Sequence, residues 1–162
     1  MYKKVIVPLD GSELAECVLP HVEAIAGGCG VAEVVLVRVI EPVHLPVGTM
    51  TDGADVFTEA DAERVRKRQD KVDKTEALDY LTGVAKRLEL GRARKQTQVI
   101  MGHAADMLVD FTKGSGADLV VIASHGRSGI SRWVFGSVAE RLVRGACVPV
   151  LMVRAPGCEI GI

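Results

Sequence analysis

The sequence predicts an α/β fold in three layers, a doubly wound parallel sheet of five strands in the order 3-2-1-4-5. Three observations carry this. Short apolar runs rich in β-branched residues alternate with helical patterns as βαβαβαβαβ, and such alternation implies parallel pairing through right-handed crossovers. Two of the runs, Glu33 to Ile40 and Asp118 to Ala123, are near-continuous in Val, Ile and Leu, as strands covered on both faces require. The chain has 162 residues, 48% hydrophobic and 25% charged, the size and composition of one globular domain with a real core. We assign residues 1–155 to that domain and 156–162 to a tail.

The first strand is Lys4 to Leu9, an apolar run too short and too soon stopped by Pro8 to be a signal peptide. Ser12 suits an N-cap, and Leu14, Val18, Leu19, Val22 and Ile25 then recur at helical spacing until Gly27-Gly28. Pro20 inside this helix leaves the Glu16 carbonyl without its donor, so a kink is expected there. Glu33 to Ile40 is the second strand. The stretch from Glu41 to Gly53, with two prolines, is long for a routine connection.

From about Thr58 to Leu90 the sequence is helical. Glu59 to Glu76 holds six acidic and six basic residues, and opposite pairs such as Glu63 with Lys67 favour a solvated face over a partner-binding one. Leu78, Leu81, Val84 and Leu88 are expected to pack on the sheet. Arg94 to Ile100 is a weaker strand, broken by Lys95, Gln96 and Gln98, and belongs at an edge. Helices follow at about Ala104 to Lys113 and Ser137 to Gly145, on either side of the Asp118 strand, and Val148 to Val153 is the last strand.

Several function classes are disfavoured. With 20 basic and 21 acidic side chains the formal charge is -1, which gives no electrostatic footprint for nucleic acid. No window approaches 18 apolar residues, so no membrane span is expected, and a cytoplasmic location follows. Cys17, Cys29, Cys147 and Cys158 form no Cys-x-x-Cys pair and read as buried thiols, with Cys158 expected to be exposed. The histidines His21, His44 and His103 have no metal-like spacing; His103, after Gly102 at a strand end, is the one placed for a ligand role at the rim.

In a sheet of this order ligands bind beyond the carboxyl ends of the strands, where the strand order reverses. Two segments meet there: Pro8-Leu9-Asp10-Gly11-Ser12, and Ala123-Ser124-His125-Gly126-Arg127-Ser128-Gly129. The second begins a Gly-rich loop ending in Gly136-Ser137 at a helix start. Backbone N–H groups, a helix N-terminus and a hydroxyl make a phosphate cradle, with Arg127 and Arg132 adding positive charge. Gly126 and Gly129 also suit plain turns and Ser137 a plain N-cap, and the residues alone leave the two readings even. Other chemistries fail. A nucleophile elbow would need Gly at Ile122 and, beyond the serine, an acid and then a His, yet no Asp follows Asp118 and the one His after Ser124 is the adjacent His125. A receiver domain needs a carboxylate where the chain has Met101-Gly102, and neither a P-loop nor Gly-x-Gly-x-x-Gly occurs.

From Val5-Ile6-Val7-Pro8-Leu9-Asp10-Gly11-Ser12 to Val148-Pro149-Val150-Leu151-Met152-Val153, the chain resembles the universal stress protein family. ATP-binding members carry Gly-x-x-Gly-x(9)-Gly-Ser/Thr. Gly126, nine intervening residues and Gly136-Ser137 fit its second and third parts, with Ala123 at the first Gly position. The resemblance implies a Rossmann-like fold and ATP, with adenine near Pro8 and the backbone of Val39. It places Asp10 close to the ribose and to phosphates carrying Mg2+ or Mn2+. Gly126, Arg127, Gly136 and Ser137 would line the phosphates, with Val138 following and Ala123 and Gly129 completing the set. His125 either shapes the turn or touches phosphate.

The function implied is an ATP-binding stress-response protein acting as a nucleotide-dependent switch or sensor. Hydrolysis would be slow at most, because Asp10 is the one carboxylate the sequence offers at the rim. A dimeric adaptor of the same fold without nucleotide is the alternative, and a small ATPase a third reading. A homodimer through Val148 to Val153 is expected, since an apolar edge strand needs cover. The competing reading has the tail from Arg154 to Ile162 fold back over that edge. Lysines at Val150 and Met152 are expected to give a folded monomer.

Overall fold

The computed structural model describes residues 1–42, 59–124 and 136–154. The elements run β1 (Lys4–Pro8), α1 (Glu13–Glu16), α2 (Leu19–Cys29), β2 (Glu33–Ile40), α3 (Glu59–Arg87), β3 (Arg94–Met101), α4 (Ala104–Gly114), β4 (Leu119–Ala123), α5 (Ser137–Gly145) and β5 (Val150–Val153). All pairings are parallel and the order is β3-β2-β1-β4-β5, as the alternation of elements predicts.

The sheet divides two cores. Successive side chains of a strand point to opposite faces, so Val5, Val7, Val34 and Leu36 join Val18, Val22, Leu81 and Val84 on one side. Ile6, Val35, Val37, Val120 and Ile122 join Leu108, Val109, Ala139 and Leu142 on the other. Burial on both faces is why these strands read as unbroken apolar runs. β3 lies at an edge, as its polar residues predict.

Three expectations are corrected. The single kinked helix is two, α1 and α2, with a break at Cys17 and Val18. Pro20 stands in the first turn of α2, where the N–H it lacks has no helical partner to lose. Gly27 and Gly28 lie inside α2, and the stop is Gly30, whose φ of +63° supplies the left-handed cap. The buried residues of the second half of α3 are Ala77, Leu81 and Val84, with Leu88 buried just past its end, while Leu78 is 46% exposed. At 100° per residue Leu78 sits about 120° around the helix from Val84. Glu63 and Lys67 do pair, at 2.7 Å and well exposed, so this face is solvated.

None of Cys17, Cys29 and Cys147 is in a disulfide. Cys147 is exposed, contrary to expectation, because it lies in the turn before β5, outside both cores; Cys158 lies outside the described residues. No helix among the described residues is long and apolar enough to cross a membrane.

The foot of the sheet is fastened by Asp118. Its Oδ2 accepts the backbone N–H groups of Lys3 at 2.7 Å and Lys4 at 2.8 Å, tying β1 to β4. Those two bonds hold its carboxyl below the usual range. The folded-state pKa is depressed, so the stabilisation is fully present above the ordinary Asp value of 3.8 and fades as pH falls through the folded-state value. Asp118→Asn should therefore melt a few degrees below wild type at pH 7, with the two melting curves converging under acid. A constant difference across that range would assign the loss to packing.

Candidate functional site

At the carboxyl ends of β1 and β4, where the strand order reverses, lies a cavity of about 490 Å³. Pro8, Leu9 and Asp10 form one wall, and Ala123 and Ser124 continue it from β4. Val37 and Val39 of β2 face Ala104 and Leu108 of α4 at an apolar end. Gly136, Ser137 and Val138 add the start of α5 to the lining. Of the expected residues, Pro8, Asp10, Val39, Ala123, Gly136, Ser137 and Val138 thus share one cavity. His125, Gly126, Arg127 and Gly129, with Arg132, lie outside the described residues, as does most of the Glu41 to Gly53 stretch.

The turn after β1 is built on hydrogen bonds. Asp10 Oδ1 accepts from Ser12 N at 2.9 Å and Ser12 Oγ at 2.6 Å, while Ser12 Oγ accepts from Ala15 N at 3.2 Å and caps α1. Asp10 therefore does the work of a turn residue while it lines the cavity. Gly11 has φ +90°, a region that suits glycine.

The other side is fixed by backbone. Ser124 N donates to Val153 O at 2.7 Å and Gly136 N to Ser124 O at 2.9 Å, which fastens the start of α5 over the end of β4. Gly136, not Ser137, is the N-cap; Ser137 is the first helical residue. Gly136 makes no side-chain cap bond, so the first N–H groups of α5 keep their positive character at the cavity wall.

Two residues were missed by the sequence reading. Glu41 lines the cavity as a second carboxylate at the rim, and its Oε1 accepts from Ala104 N at the start of α4 at 3.3 Å. Its signal was position, two residues beyond Val39 and hence on the same face. Arg38 lines an adjoining, more polar chamber with Asp73 and Glu76, and that chamber shares Asp10, Val39, Glu41 and Ala104 with the first. A charged residue within the apolar run of β2 was the sign of it. His103 lines neither chamber. It precedes α4 with its ring 70% exposed and Nδ1 3.4 Å from Asp106 Oδ2. Among the described residues no group of three or more His, Cys, Asp or Glu is arranged to hold a metal.

Comparison with known proteins agrees with this architecture. The chain is 31% identical over 160 residues to universal stress protein MJ0531 of Methanocaldococcus jannaschii, covering 98% of this chain and 86% of that protein. It is 27% identical to universal stress protein MJ0577 of the same organism, covering 95% of this chain and 96% of that one. The solved structure of MJ0577 superposes with a TM-score of 0.73 over 97% of this chain and 99% of that one. An Arabidopsis thaliana protein of the same family, solved with AMP bound, shares the fold with a TM-score of 0.59 at 16% identity, over 98% and 96% of the two chains. The model of the universal stress protein family matches residues 1–154, and the chain belongs to that family.

Proposed function

We propose that this chain, as a single domain over residues 1–155, binds ATP with Mg2+ (or Mn2+) in the cavity and acts as a nucleotide-dependent stress-response switch or sensor. The observation that carries this is the pairing of an apolar end, Val37, Val39 and Leu108, with the glycine-capped start of α5. An aromatic base fits the first and an anionic phosphate the second. The spacing from Gly126 to Gly136-Ser137 supports the same reading. The AMP-bound Arabidopsis structure supports the fold alone at its identity, so the nucleotide reading rests on this chain's own residues.

The donor set suits a metal carried by the ligand. Mg2+ is commonly held by one or two carboxylates plus substrate phosphates, and Asp10 and Glu41 are both shared by the two chambers. When bound, the ion would neutralise phosphate charge beside Asp10, which otherwise repels it. Slow hydrolysis at most is the matching expectation. Asp10 Oδ1 is engaged by Ser12 and Glu41 Oε1 by Ala104 N, so both lining carboxylates hold backbone, and a base poised on an attacking water is what efficient transfer needs.

Denaturing freshly purified protein and identifying the nucleotide released tests the reading directly. Titration calorimetry should give micromolar to submillimolar affinity, about -5 to -8 kcal/mol. Asp10→Ala should weaken metal-dependent ATP binding about tenfold and also lower the melting temperature, because the Ser12 turn loses its acceptor. Lower thermal stability with unchanged ATP affinity would confine Asp10 to the turn. We further propose a homodimer through the edge strand β5, which suits the switch and the adaptor reading alike.

A further inference from the structure

We infer that Arg38 and Tyr80 form a clamp that sets the position of Asp10 in the cavity, an inference that rests on the nucleotide reading for its functional consequence. Arg38 is the charged residue within the apolar run of β2, and it is half-buried. Its guanidinium carbon lies 5.3 Å from the centroid of the Tyr80 ring on α3, within cation–π range. Gly11 is a second neighbour of this group. A Cβ at Gly11 would meet Cζ, Nη1 and Nη2 of Arg38, each at 3.1 Å. Equal distances to three atoms of a planar group mean that the guanidinium presents its flat face to Gly11.

Arg38 thus lies against Gly11 and within cation–π range of Tyr80. Glycine is favoured by its φ of +90°, and a Cβ there would press on the guanidinium at 3.1 Å. A planar guanidinium can lie flat against Gly11 while its charge reaches the ring, whereas a lysine ammonium cannot. The ring itself is seated on α3 beside Glu16 of α1; burial, then the negative charges of Glu16 and Asp10, push its phenol well above the usual range. Glu16 in turn pairs with Arg87 at 3.0 Å. The turn after β1 is thus gripped by α3, and Asp10, bonded directly to Gly11, takes its place in the cavity from that grip. Arg38 is a positioning residue.

The effect therefore runs through Asp10 and not through the ligand's charge. Arg38→Met and Arg38→Lys should each weaken ATP with Mg2+ by a similar factor, about tenfold. In an Asp10→Ala background Arg38→Met should add nothing, because the residue it positions is gone. Tyr80→Leu should behave like Arg38→Met, and Tyr80→Phe, which keeps the ring, should restore affinity. Hydrogen exchange of the ligand-free chain should quicken over residues 9–13 in Arg38→Met and Tyr80→Leu, with the strands unchanged.

A loss in Arg38→Met that Arg38→Lys rescues would overturn the clamp in favour of direct phosphate contact. Additive losses in the double variant, or unchanged exchange over residues 9–13, would overturn it as well. If wild type binds neither adenosine nor ATP, the nucleotide reading falls, and the exchange pattern alone decides whether the clamp exists.

Discussion

Gly136→Val should reduce ATP affinity by roughly 100-fold or more, moving a Kd of about 1 µM to about 100 µM or weaker, while the fold persists. The backbone at Gly136, φ -55° and ψ 142°, is open to any residue, so valine brings no conformational strain. Its N–H can still donate to Ser124 O, and its carbonyl can still accept from Glu140 N. What changes is the cavity wall. A branched side chain at the N-cap of α5 occupies the space that phosphate oxygens need in order to reach the helix's first N–H groups. Gly136→Ala, smaller by two methyl groups, should lose less. Calorimetry with a thermal melt as control checks both halves. If wild type and variant prove equally unable to bind ATP, the dimeric adaptor reading replaces the switch.

Much of this architecture was legible because it rests on local periodicity. Val5, Ile6 and Val7 alternate between two buried faces, so an unbroken apolar run already implied a covered central strand. The strand order then followed from connectivity and handedness. What escaped were matters of phase and long-range placement. Whether Leu78 or Ala77 faces the sheet depends on how α3 docks, and both choices look amphipathic in sequence. Pro20 could equally kink one helix or open another. At the site, residues at or next to the strand ends, Pro8, Asp10 and Ala123 among them, fall on the cavity wall, as does Gly136 at the start of α5. Arg38 and Glu41 were missed because their partners, Tyr80, Gly11 and Ala104, come from elsewhere in the chain, and no local pattern pairs them.

Leu151→Lys should convert a homodimer into a folded monomer, shifting the dissociation constant by about 100-fold. β5 is the last strand of the sheet and pairs with β4 alone. Leu151 is 38% exposed on this edge, and such an edge invites pairing. The structure changes the choice of probe. Val150 and Met152, the first candidates for lysine, pack against the core cluster under α4 and α5, so charges there would attack the fold as well as the interface. Leu151 points to the other face, where a lysine in a single chain reaches water. In a two-fold contact the same position is used by both copies, so one substitution removes two leucines and sets like charges close together. Pro149 has no N–H to donate, which restricts the register a partner strand can adopt. A chain ending at Arg154 separates the remaining alternative: it should still dimerise if β5 itself is the interface. Sedimentation of wild type near twice the chain mass of 17.3 kDa is the expected result, and a species of single-chain mass at micromolar concentration would end the dimer reading.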